Sequence, residues 1–110
     1  MSVSTHVLDT MRGNPAAGVG VALNFRRPNG DWSILGRAVT DANGRVKEIG
    51  GRLEAGEYRL DFATGAYFKS FETDAFYPEV SVMFAVVEGE AHVHVPLLLS
   101  PYGYSTYKGV

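Results

Sequence analysis

Three histidines, His6, His92 and His94, are the only side chains of this sequence that change charge near neutral pH without a perturbed environment. His92 and His94 stand two residues apart. In an extended strand they share one face while Val93 and Val95 take the other. The ordinary fate of a strand histidine is that of a satisfied polar residue. The spacing weakens that reading for this pair, because the two rings must lie close together. A His-x-His strand joined by a third histidine can also form a three-ligand zinc site with an open position. No further His, Asp or Glu pattern supports a metal here, and none is predicted.

The other reactive groups are isolated. Arg45 follows an Asn-Gly turn, where an arginine is ordinarily a solvated charge, and Lys108 reads as a plain surface lysine. Ser100, Ser105 and Thr106 carry hydroxyls, but no Gly-x-Ser-x-Gly elbow surrounds them. Asp41, Glu72 and Asp74 have no partner that spacing identifies. Tyr102, Tyr104 and Tyr107 read as core or interface aromatics. Residue types alone leave a histidine cluster and name no reaction.

The elements that must position these groups are short strands separated by turn residues. Alternation places strands over 4–10, 19–26, 32–40, 45–49, 57–63, 79–87, 91–99 and 102–107. Arg12-Gly-Asn-Pro15, Pro28-Asn-Gly30, Asp41-Ala-Asn-Gly44 and Glu88-Gly89 supply the breaks. Pro96 lacks a backbone donor, which predicts an edge, a bulge or the approach of the strand end. Residues 65–74 do not alternate and read as one short helix with Thr64 as its cap. The expected fold is an all-β antiparallel sandwich of seven or eight strands with one short helix, in a single domain over residues 1–110. The terminal strand should be tied down rather than frayed.

Composition narrows the function classes. A chain of 110 residues with a formal net charge of −2 gives no reason to expect nucleic-acid or membrane-surface binding. It has no cysteine, which excludes disulfides and thiolate chemistry. The start lacks a basic segment followed by a long apolar run, and no stretch approaches the ~20 apolar residues needed to span a bilayer. A soluble, cytoplasmic protein is expected.

Two long motifs add what spacing does not. His6-Val-Leu-Asp-Thr-Met-Arg-Gly-Asn-Pro-Ala-Ala-Gly-Val-Gly-Val21 and His94-Val-Pro-Leu-Leu-Leu-Ser-Pro-Tyr-Gly-Tyr-Ser-Thr-Tyr-Lys-Gly109 resemble the two signatures of the transthyretin-like family. Thr40-Asp41, Gly44-Arg45, Gly56-Glu-Tyr58 and Phe76-Tyr-Pro-Glu-Val80 agree with it, so the resemblance spans essentially the whole chain. It is closest to the family's enzyme branch, the 5-hydroxyisourate hydrolases of urate breakdown. That branch has histidine at the position of His6, arginine at that of Arg45 and histidine at that of His94. The hormone carriers of the same fold have lysine and threonine in place of the two histidines. Family enzymes usually finish Tyr-Arg-Gly-Ser, whereas this chain finishes Tyr107-Lys-Gly-Val110. Lysine keeps the charge but loses the planar donor fork, and valine loses the hydroxyl.

The resemblance implies hydrolysis of the cyclic amide of 5-hydroxyisourate without metal or organic cofactor. It implies His6 and His94 as the proton-handling pair and Arg45 as the group that orients substrate and stabilises negative charge. Lys108, Ser105 and Thr106 would bind substrate, with Lys108 also lowering the pKa of a nearby histidine. His92 keeps its ordinary reading or supports the pair from behind. The implied assembly is a homotetramer with sites at the dimer–dimer interface. The competing expectation is a carrier that holds a ligand in that channel without chemistry.

Overall fold

A computed structural model describes residues 2–110. Its elements are β1 (Ser2–Asp9), β2 (Asn14–Pro15), β3 (Gly20–Arg26), β4 (Trp32–Val39), β5 (Arg45–Ile49), β6 (Gly56–Phe62), α1 (Thr64–Lys69), β7 (Val80–Val86), β8 (His92–Ser100) and β9 (Gly103–Thr106). They form two sheets. One has the order β2-β1-β8-β9, with β5 also paired to β1, and the other has the order β4-β3-β6-β7. Alternation decides the inner faces. Val3, Val7, Val93, Val95, Leu97 and Leu99 from the first sheet meet Val21, Leu23, Tyr58, Leu60, Phe62 and Val80 from the second, and all are buried.

The sandwich is as the sequence predicts, with several corrections. Besides eight strands of four or more residues there is the two-residue β2, in a segment read as turn, where Leu8 pairs with Pro15 and Asp9 with Asn14. The pairing is also not wholly antiparallel. β1 and β8 run parallel through eight residue pairs, from Ser2 with His92 to Asp9 with Leu99. Strands so far apart in sequence are not bound by hairpin geometry, which alone enforces antiparallel neighbours. The Asp41–Gly44 turn likewise joins strands of opposite sheets, β4 and β5, rather than closing a hairpin.

Pro96 does not end its strand, since β8 continues to Ser100. The carbonyls of His94 and Pro96 face the chain's closing segment, accepting from Gly109 N–H and Thr106 Oγ1–H, while the Val95 carbonyl faces β1. The donor that Pro96 lacks would therefore point toward β9, whose ladder begins only at Leu97 opposite Thr106. Pro96 is thus a local edge inside a long strand.

The helix is shorter than expected. It covers Thr64–Lys69, with Ala63 at the N-cap position and no side-chain cap. Thr64 is inside the helix, and its buried hydroxyl has no hydrogen-bond partner among the described residues. The closing tyrosines are not core: Tyr102, Tyr104 and Tyr107 are all exposed in the single chain.

Candidate functional site

The alternation that buries the valines of β1 and β8 presents the side chains of the intervening residues to the outer face of the first sheet. Ser4, His6, His92 and His94 line an open cleft of about 770 Å³ there, together with Arg45 and Lys47 from β5 and Tyr107 and Val110 from the closing segment. Among the described residues this cleft holds all three histidines. The parallel register sets their spacing, because Ser4 is directly beside His94 and His6 beside Pro96. On the other side of β1 the antiparallel register sets His6 opposite Arg45.

Arg45 is placed by the turn before it. The Asp41 carboxylate accepts the backbone N–H groups of Asn43 and Arg45 through Oδ1, at 2.9 and 3.0 Å. The Arg45 N–H bond, foremost, and that of Asn43 hold the Asp41 carboxyl below its usual range, helped by the charges of Lys47 and Arg45. Gly44 has φ of +73° and its carbonyl accepts the Val7 N–H at 2.7 Å, which docks the turn on β1. A side chain at Gly44 would meet the Val7 carbonyl. The same turn engages His6, whose Nε2 lies 2.8 Å from the Asn43 carbonyl oxygen. A carbonyl only accepts, so Nε2 carries the hydrogen and Nδ1 is the ring nitrogen left to exchange a proton.

His94 is held differently. Its Nδ1 lies 2.7 Å from Ser4 Oγ, and the same oxygen lies 2.7 Å from His92 Nε2. His92 Nδ1 in turn lies 2.6 Å from Ser2 Oγ. Three hydrogen bonds thus join Ser2, His92, Ser4 and His94 in series and leave His94 Nε2 without a hydrogen-bond partner among the described residues. Partial burial, then repulsion from the Arg45 guanidinium and from His6 and His92 when those rings are protonated, lower the His94 pKa below the ordinary 6.5 against an opposing contribution from Ser4. His94 is accordingly a neutral imidazole at neutral pH. The serine hydroxyls engage both ring nitrogens of His92 and Nδ1 of His94, so His92 has no nitrogen free to share a metal with His94 Nε2. No group of three or more His, Cys, Asp or Glu is arranged to hold a metal among the described residues.

Of the residues named from sequence, His6, Arg45 and His94 are brought together. Lys108, Ser105 and Thr106 do not line the cleft of a single chain. Lys108 Nζ lies 3.3 Å from Glu90 Oε1, and Thr106 Oγ1 donates to the Pro96 carbonyl at 2.7 Å. Ser105 sits on β9 opposite Leu98. The charges that act on His94 are those of its neighbours on β1, β5 and β8 and not that of Lys108. Sequence reasoning passed over Ser4, Lys47 and Gly109. Ser4 had a legible signal, since it stands two residues before His6 on the same strand face. Gly109 had none: its N–H donates to the His94 carbonyl at 2.8 Å through a contact that only the folded tail creates.

A model of the HIUase/transthyretin family matches residues 3–109. The 5-hydroxyisourate hydrolase of Salmonella dublin is 47% identical over 109 residues, covering 97% of this chain and 79% of that protein. The structure of Klebsiella pneumoniae 5-hydroxyisourate hydrolase superposes with a TM-score of 0.89 at 34% identity and full coverage of both chains. Sea bream transthyretin in complex with thyroxine superposes with a TM-score of 0.91 at 32% identity, covering 98% of this chain and 94% of that one.

Proposed function

The chain belongs to the HIUase/transthyretin family, and within it we infer a 5-hydroxyisourate hydrolase whose reaction takes place on the outer face of β1, β5 and β8. The backbone fold is shared equally with the enzyme and with the carrier, so fold does not choose between them. The observation that carries the reading is the convergence of His6, Arg45 and His94 in one cleft, with a hydrogen bond orienting each imidazole.

In this reading the substrate's cyclic amide carbonyl is attacked by water. His94, neutral and with no partner on Nε2 among the described residues, takes the proton of that water. Arg45 stabilises the oxyanion of the tetrahedral intermediate. Breaking the ring C–N bond requires a proton on the departing nitrogen, which His94 returns from Nε2, while His6 accepts a hydrogen bond from the reacting groups through its bare Nδ1. The product carboxylic acid then ionises, releasing one proton to solvent.

The same reading assigns Lys108, Ser105 and Thr106 a substrate-binding role across a subunit boundary in a cytoplasmic homotetramer. β9 is the end strand of its sheet, and it carries exposed Tyr104 with Tyr102 and Tyr107 flanking it. An unpaired strand edge beside such residues is suited to association. Pairing there would bring the closing segments of neighbouring chains toward each other's clefts.

The test is the decay of freshly generated 5-hydroxyisourate followed by ultraviolet absorbance, with the spontaneous rate subtracted. Acceleration by the protein, lost in His6→Ala, Arg45→Ala and His94→Ala variants that still fold, is the expected result. Near-native turnover in all three would overturn the assignment of the cleft. Failure of the wild-type protein to accelerate decay would favour a carrier.

A further inference from the structure

His92 lies outside the three-residue reading above, yet both of its ring nitrogens are engaged and one of them leads to His94. The Ser4 hydroxyl connects them, within 2.7 Å of each ring, and it has only one hydrogen. It can donate to only one of the two imidazoles, so at least one ring must donate to it. This constraint couples the tautomers of two histidines: the two facing nitrogens cannot both lack hydrogen. The exposed ring is His92 and the half-buried one is His94. A positive charge on His94 would sit among Arg45, His6 and His92 in a partly desolvated cleft. A charge on His92 would be met by water.

Building on the hydrolase reading, we propose that Ser4 joins His92 to His94 as a shared proton store, in which the proton His94 takes from the attacking water is held on His92 and then returned. At the start His94 Nδ1–H donates to Ser4 Oγ, and Ser4 O–H donates to His92 Nε2. His92 Nδ1–H donates to Ser2 Oγ. As water adds to the carbonyl, its proton goes to His94 Nε2. The Nδ1 proton of His94 then passes to Ser4, and the Ser4 proton passes to His92 Nε2. His94 is left neutral with hydrogen on Nε2, and His92 carries the positive charge.

When the C–N bond breaks, His94 gives its Nε2 proton to the departing nitrogen. It recovers a proton at Nδ1 from Ser4, which recovers its own from His92. The water has supplied its hydroxyl to the carbonyl carbon and its hydrogen to the nitrogen, and the protein is restored. His94 thus serves as base and acid at one nitrogen without standing as an imidazolium beside Arg45. Ser4 and His92 act only through His94 and are positioning residues.

Two measurements test this. The first uses folded wild-type protein and requires no turnover: nitrogen-15 NMR of the imidazoles across pH. Protonation of a bridged pair should appear as coupled, two-step titrations on both rings, which separate into single steps in Ser4→Ala. His6 on β1, Arg45 and Lys47 on β5 and Tyr107 in the tail also line the cleft, and none is altered by that substitution. Independent single-step titrations in the wild type would overturn the store.

The second measurement is kinetic. Ser4→Ala and His92→Gln should each lower kcat by about tenfold, part of a general acid–base contribution, with KM within about twofold. The double variant should be no slower than either single one, and Ser4→Thr should restore most of the rate. Because His92 is exposed, its variant reports even if Ser4→Ala fails to fold. Turnover abolished by His94→Ala but insensitive to Ser4 and His92 overturns the store alone. A wild-type protein without turnover removes the hydrolase reading and the store's catalytic role with it.

Discussion

Gly109 lies directly against the imidazole of His94: a Cβ built on it would stand 2.6 Å from His94 Cδ2 and 3.2 Å from Cγ. Its N–H also donates to the His94 carbonyl at 2.8 Å. The tail thus fixes the ring from the side opposite Ser4, and only a residue without a side chain fits. Gly109→Ala should push the imidazole out of line while leaving the sandwich folded. A displacement near 1 Å costs on the order of 10²-fold in rate. The expected result is a loss in kcat approaching that size with an unchanged far-ultraviolet circular dichroism spectrum.

Arg45 depends on Asp41 for its place, because that carboxylate holds the turn through the N–H groups of residues 43 and 45. Asp41→Ala should leave Arg45 charged but less well aimed. We expect kcat/KM to fall by roughly tenfold, against the 10²–10³ expected when an oxyanion donor is removed outright, as in Arg45→Ala. Steady-state kinetics on the two variants side by side provide the check. Equal losses would mean that Asp41 does more than hold the turn.

The depressed pKa of His94 gives a signed pH dependence. The folded protein resists protonating this ring, so below the unfolded value of 6.5 the unfolded chain binds the extra proton more readily. Stability should fall as pH drops through 6.5 and continue falling until the folded pKa is passed. The proposed base is the neutral ring, so the acid limb of kcat/KM should have its midpoint below 6.5. Burial is the largest cause and the charge of Arg45 comes next, so in Arg45→Gln the NMR titration of His94 should move up toward 6.5. A downward or absent movement would remove Arg45 as a cause.

Particular residues show why some of this was legible in the sequence and some was not. The alternation of Val80, Val82 and Val86, or of Tyr58, Leu60 and Phe62, is a local consequence of strand geometry and reads directly. The His92/His94 shared face is local in the same sense. The partnership of Ser4 with both rings is not, since it arises from a parallel pairing of strands ninety residues apart. No spacing rule specifies such a register. The resemblance named His6, Arg45 and His94, and the fold brings them together. Thr64 shows the opposite failure: a good capping residue type entered the helix itself, because local propensity is weaker than the packing that buries it.

The proposed assembly can be separated from the fold at one position. Carbonyls of the even-numbered residues of β8 face β9, so in the antiparallel ladder Ser105 and Gly103 direct their backbone groups inward, opposite Leu98 and Ser100. Tyr104 therefore turns its N–H outward along the free edge. Tyr104→Pro removes that donor without costing a bond to β8, and the ring it deletes makes a surface contact with Tyr77 at 5.3 Å. If chains pair through β9, this variant should elute from a sizing column at a smaller mass than the wild type, with its circular dichroism spectrum retained. Turnover should drop with the assembly, because Lys108, Ser105 and Thr106 would no longer reach a neighbouring cleft. Full activity in a dissociated variant would confine the chemistry to His6, Arg45 and His94 of one chain and withdraw the substrate-binding role from the three residues of the tail.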